Sequence, residues 1–69
     1  MKKSVANRVA EQCYRAAITR GKYETCTRDY TAVYYPEDDN VIVTYVPENS
    51  KTEEPKWHVC KVRKSWASF

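Results

Sequence analysis

Two runs of β-branched and aromatic residues, Tyr30-Thr-Ala-Val-Tyr-Tyr35 and Val41-Ile-Val-Thr-Tyr-Val46, are separated only by the turn-forming segment Pro36-Glu-Asp-Asp-Asn40. Such side chains suit a pleated surface, and the residues between them suit a reversal, so the segment reads as a β-hairpin. Strand alternation sets Thr31, Val33 and Tyr35 against Tyr30, Ala32 and Tyr34, and Val41, Val43 and Tyr45 against Ile42, Thr44 and Val46. Two registers are open, one with 36–39 as the loop and one that adds Asn40. In either register both faces receive large apolar groups. A short chain with one helix can cover only one of them, so the other face needs a cover of its own.

That helix precedes the hairpin. Ser4 suits an N-cap, and Gly21, the chain's only glycine, stands where a left-handed residue is wanted after Arg20. Between them, at 100° per residue, Val5, Ala6, Val9, Ala10, Cys13, Ala16 and Ala17 share one side, with Tyr14 at its margin. Ser4, Arg8, Glu11, Arg15 and Thr19 share the other, where Glu11 and Arg15 form an i,i+4 pair. A stripe of such small residues predicts a helix lying close on a sheet that supplies the bulk.

Residues 22–29 read either as a connection or as a short edge strand. Beyond the hairpin, prolines 47 and 55 bracket a polar segment that stops strand pairing and should be the most mobile internal part. Lys56 to Lys64 then alternates as a last strand, with His58, Cys60 and Val62 on one side and Trp57, Val59, Lys61 and Arg63 on the other. The tail carries Trp66 and Phe69, two aromatics that could fold back over the second face. The expected fold is α+β: one N-terminal amphipathic helix on a three-stranded antiparallel sheet, an αβββ meander, with residues 1–69 forming a single domain.

At 69 residues the core is small and a deep catalytic cleft is not expected. Hydrophobic content of 42% excludes the composition of a disordered chain. No secretory signal or membrane span is read, and the three cysteines lack a Cys-x-x-Cys pair, so the expectation is a soluble cytoplasmic protein with free thiols. Charge is segregated: residues 1–35 carry +4, residues 36–55 carry −5 and residues 56–69 carry +4. The acidic residues therefore sit in the connections around the second strand of the hairpin.

Candidate chemistry is sparse. Cys13, Cys26, His58 and Cys60 are the right types for zinc, but only His58 and Cys60 are closely spaced, so no metal or other cofactor is expected. The single histidine has no nucleophile motif near it and the carboxylates cluster in loops, so no enzyme is expected. Two binding functions remain. Tyr30, Tyr34, Tyr35, Tyr45, Trp57 and Trp66 are of the types enriched at interface hot spots, and an aromatic sheet face would serve a small regulator, adaptor or inhibitor of a larger protein or complex. Proteins of this size are common among phage and mobile-element accessory proteins, and a homodimer is compatible with the pattern. The alternative is a nucleic-acid-binding module in which Trp57 stacks while Lys61, Arg63 and Lys64 neutralise phosphate. Against it, the sequence pI of about 8.8 is modest and the acidic connections would repel phosphate.

Overall fold

The computed structural model describes residues 1–46 and 54–67. The chain forms helix α1 (Lys3–Arg20), strands β1 (Glu24–Cys26), β2 (Tyr30–Tyr35), β3 (Asn40–Tyr45) and β4 (Lys56–Lys61), and a 3-10 turn at Lys64–Ala67. The strands make one antiparallel sheet in the order β1-β2-β3-β4. The α+β architecture and the N-terminal helix on an antiparallel sheet match the sequence reading, whereas the strand number is four and not three. Most of the polar segment between the prolines, and Phe69, lie outside the described residues.

The additional strand follows from a turn that Thr27 builds. Its hydroxyl accepts from the backbone N–H groups of Asp29 and Tyr30, each at 3.2 Å, and its own N–H donates to the Tyr30 carbonyl at 2.8 Å. A Thr side chain holding its own turn in this way reverses the chain without glycine. Glu24, Thr25 and Cys26 are thereby laid beside Val33, Ala32 and Thr31. The central hairpin takes the register with 36–39 as the loop, pairing Tyr35 with Asn40 and Val33 with Ile42. Asp39 closes that loop at φ 54°, a left-handed conformation that Asp tolerates better than most residues.

Helix α1 begins one residue before the expected cap. Lys2 occupies the N-cap position without a side-chain hydrogen bond, so Ser4 is helical. At the other end Gly21 has φ 69°, and the N–H groups of Gly21 and Lys22 donate to the carbonyls of Ala17 and Ala16. Ala6, Val9, Ala10, Cys13 and Ala17 are buried, while Val5 is exposed. Ala6, Val9, Ala10 and Cys13 lie against Ala32, Val41, Val43 and Cys60, with Trp66 joining from the 3-10 turn. Ala32 has no exposed surface. A small residue at the centre of the sheet facing a helical stripe of alanines lets the two backbones approach closely, and the valines of β3 fill the space beside that contact. Glu11 and Arg15 form the expected pair at 3.7 Å. No described helix is long and apolar enough to cross a membrane.

Candidate functional site: the uncovered face of the sheet

Register and alternation place Tyr30, Ala32, Tyr34, Val41, Val43, Tyr45, His58 and Cys60 on the helix side. The opposite face carries Thr31, Val33, Tyr35, Ile42, Thr44, Trp57, Val59 and Lys61, and no described element packs on it. Val33, Ile42 and Val59 are direct cross-strand partners and form an apolar row over three strands. Trp57, beside Thr44, borders the row and is 63% exposed, and Val59 is 53% exposed. Isolated exposed hydrophobics are ordinary, whereas this row is continuous across neighbouring strands and is flanked by an open tryptophan. Its charge is slight, with Glu24 at the β1 edge and Lys61 at the β4 edge.

The six aromatics singled out from the sequence are thus divided. Tyr35, 41% exposed, and Trp57 lie on the uncovered face. Tyr30, Tyr34 and Tyr45 lie on the helix side, the first two packed at the margin of the core. Tyr34 meets Tyr14 edge-on at 5.2 Å between ring centroids and stacks with Tyr23 at 6.0 Å. Burial, then Asp39 and the neighbouring tyrosines, push its hydroxyl pKa up. Tyr45 stacks on His58 at 5.4 Å and donates its hydroxyl proton to the Met1 carbonyl at 3.5 Å. His58 Nε2 lies 3.1 Å from the same carbonyl, which can only accept, so that contact requires the proton on Nε2. Trp66 is 4% exposed, is in ring contact with Tyr14, and its carbonyl accepts from Arg15 Nε at 3.3 Å. The tail up to Ala67 therefore packs on the helix side and leaves the second face open.

The sequence reading missed Val33, Ile42 and Val59. The signal available was polarity: the face that carries Val33 and Ile42 also carries Thr31 and Thr44, whereas its opposite offers the small Ala32 with Val41 and Val43.

Of the basic residues on the last strand, Lys61 shares the uncovered face with Trp57, but β4 ends there. Arg63 lies beyond the strand and Lys64 opens the 3-10 turn, so the continuous Trp57-Lys61-Arg63 face expected from alternation is interrupted. Lys61 and Arg63 instead line a cleft of about 430 Å³ with Lys3, Asn7 and Cys60 at the end of the sheet. Burial pushes the Cys60 thiol pKa up, with Lys3 and Arg63 pulling partly against it. A groove of about 700 Å³ at the other end is lined by Met1, Val5, Tyr30, Thr44 and Tyr45, together with the turn between β1 and β2.

All three cysteines are free thiols. Cys13 is buried, 3.6 Å from the Ala32 carbonyl, and burial raises its pKa. Cys26 pairs with Thr31 and so belongs to the face opposite Cys13, Cys60 and His58, which separates the four residues considered as a zinc set. Compared with protein-family models, curated proteins and solved structures, the chain matches none.

Proposed function

We propose that this chain is a small non-catalytic binding protein, an adaptor, regulator or inhibitor of a larger protein partner, acting in the cytoplasm through the uncovered sheet face. The observation that supports this reading is the Val33-Ile42-Val59 row with exposed Trp57 beside it. A flat apolar centre with an aromatic anchor and a polar margin of Thr31, Thr44, Glu24 and Lys61 is the anatomy of a protein interface. The acidic turn Glu37-Asp38-Asp39 at one end would steer a basic partner toward it. An accessory role of the phage or mobile-element kind suits a small chain whose described residues present an open apolar sheet face and bring together no catalytic constellation.

The test is capture from cell extract by immobilised protein, with and without nuclease, over a range of salt. Trp57→Ala should weaken capture by about 2 kcal/mol or more, roughly thirtyfold. Ile42→Asp should abolish it, with circular dichroism verifying the fold of each variant. Capture that ignores both substitutions would overturn the reading.

One observation favours nucleic acid as a second reading. Lys3, Lys61 and Arg63 converge on one cleft, with Trp57 exposed on the same strand as Lys61. Under that reading nuclease removes the captured material, and affinity for oligonucleotides falls steeply between about 50 and 200 mM salt. It ranks second because, among the described residues, Lys61 is the one cation on the uncovered face itself.

A further inference from the structure

Strand β4 is an edge: it pairs with β3 and with no other described strand, and the 3-10 turn that follows it packs on α1. The direction of its backbone groups can be worked out. The Val62 N–H donates to the Asp39 carbonyl at 3.1 Å, so this pair, one step beyond Lys61 and Asn40, is a hydrogen-bonded pair. Hydrogen-bonded and non-hydrogen-bonded pairs alternate along an antiparallel ladder. Cys60, His58 and Lys56 therefore direct their N–H and C=O groups at β3, while Trp57, Val59 and Lys61 direct theirs outward. These same three residues also present their side chains on the uncovered face. An open row of donors and acceptors is a template for another strand, and a natural edge is commonly protected by proline, a bulge or charge. Between Lys56 and Lys61 there is no proline, β4 runs without a bulge against β3, and its charge stands only at its two ends, at Lys56 and Lys61.

A second copy of β4 meets this edge with complementary chemistry. In a two-fold antiparallel pair, facing residues must have both backbone and side chain on matching sides, so 57, 59 and 61 can face only 57, 59 and 61. The register of greatest overlap sets Val59 opposite Val59, and Trp57 of each copy opposite Lys61 of the other. It avoids setting lysine against lysine, and it places an ammonium beside an indole on the same face. Three hydrogen-bonded pairs form, with two N–H···O bonds apiece. We propose that β4 is a self-pairing edge that joins two copies of this chain into one eight-stranded sheet, with Val59 on the two-fold axis and Trp57 across from Lys61 of the second copy.

This goes beyond the partner reading and does not rest on it. The consequence for the surface is continuity: Val33, Ile42 and Val59 of one copy run directly into Val59, Ile42 and Val33 of the other, with both helices on the far side. The edge is basic and each copy carries +3, so the dimer should tighten as salt rises, because screening removes repulsion. Nucleic-acid binding has the opposite salt dependence.

The experiment is sedimentation equilibrium on the full chain together with amide hydrogen exchange as a function of protein concentration. The expected result is a monomer-dimer equilibrium in which the Trp57, Val59 and Lys61 amides, solvent-facing in the monomer, gain protection as dimer accumulates. Val59→Pro should abolish the dimer and leave the monomer folded, since the N–H it removes does not bond to β3. Val59→Lys, which sets two cations against each other at the axis, provides a second variant should the proline disturb β4. A chain that stays monomeric up to millimolar concentration would overturn the proposal. So would a dimer in which those three amides exchange freely, or one that survives both substitutions.

Discussion

The two tryptophans are placed so differently that truncating each in turn tests the arrangement of the whole domain. Trp66 is 4% exposed and shares the core cluster with Ala10, Cys13 and Val41, whereas Trp57 is 63% exposed. Removing a buried Trp ring costs about 3 to 5 kcal/mol through lost transfer energy and the cavity left behind. At roughly 0.05 to 0.15 kcal/mol per residue, a domain of this length has about 3.5 to 10 kcal/mol of stability, so Trp66→Ala should remove a third of it or more. At about 4 °C or more per kcal/mol for a chain of this size, the melting midpoint should fall by at least about 12 °C. Trp57→Ala, at a position that is mostly solvent-facing, should stay within about 0.5 kcal/mol. The assay is urea unfolding followed by far-ultraviolet circular dichroism, which does not depend on the indole being removed, at micromolar protein to keep association out of the measurement. Equal losses from the two substitutions, or a loss below about 1 kcal/mol for Trp66→Ala, would refute the placement of the 3-10 turn against α1.

Three further outcomes follow from the pattern of burial. Ala10→Leu, at a position with no exposed surface between helix and sheet, should overpack that contact and cost about 1 to 3 kcal/mol, read as a lower urea midpoint; an unchanged midpoint would contradict the close approach. The raised pKa values of Cys13, Cys60 and Tyr34 make the unfolded state the first to lose these protons, so their contribution to stability should be fully present below the ordinary thiol value of about 8.5 and decline as pH rises past it and past about 10. Urea midpoints against pH check this, and a thiol reagent should label Cys26 well before Cys13 or Cys60.

The helix and the presence of the central hairpin were legible because their residues are locally unambiguous: a small-residue stripe ended by Gly21, and β-branched runs separated by Pro36 to Asn40, whose two possible registers only the pairing of Tyr35 with Asn40 decides. Residues Glu24–Cys26 were ambiguous because a three-residue polar strand has almost no pattern of its own; the Thr27 hydroxyl turn and pairing with β2 make it a strand. The side on which the helix lies was hidden for a different reason. Both faces of the hairpin carry bulky apolar groups, and the choice depends on shape, since Ala32 alone in β2 leaves room for the alanines of α1. Once that choice is made, Tyr34 and Tyr45 pass from the uncovered face to the helix side, Tyr34 at the core margin, and Val33, Ile42 and Val59 take their place. The fate of Trp66 depended on whether a short tail turns toward the helix or the open face, which the Arg15 contact and the Tyr14 ring decide in favour of the helix.

The spatial order of the strands repeats their order along the chain, and this bears on how the domain assembles. Each sheet contact closes only the loop to the next strand, and chains dominated by such near-neighbour contacts pay little loop-closure entropy and fold quickly. The helix is the exception. Although it comes first in the chain, its stripe of alanines has little to bury until Val41 and Val43 are in place, so its docking closes the longest loops of the fold. In proteins most helical stability comes from the packing of an amphipathic face rather than from propensity. The hairpin of β2 and β3 is thus the natural nucleus, and the helix becomes stable only when the middle of the chain has formed the surface that receives it.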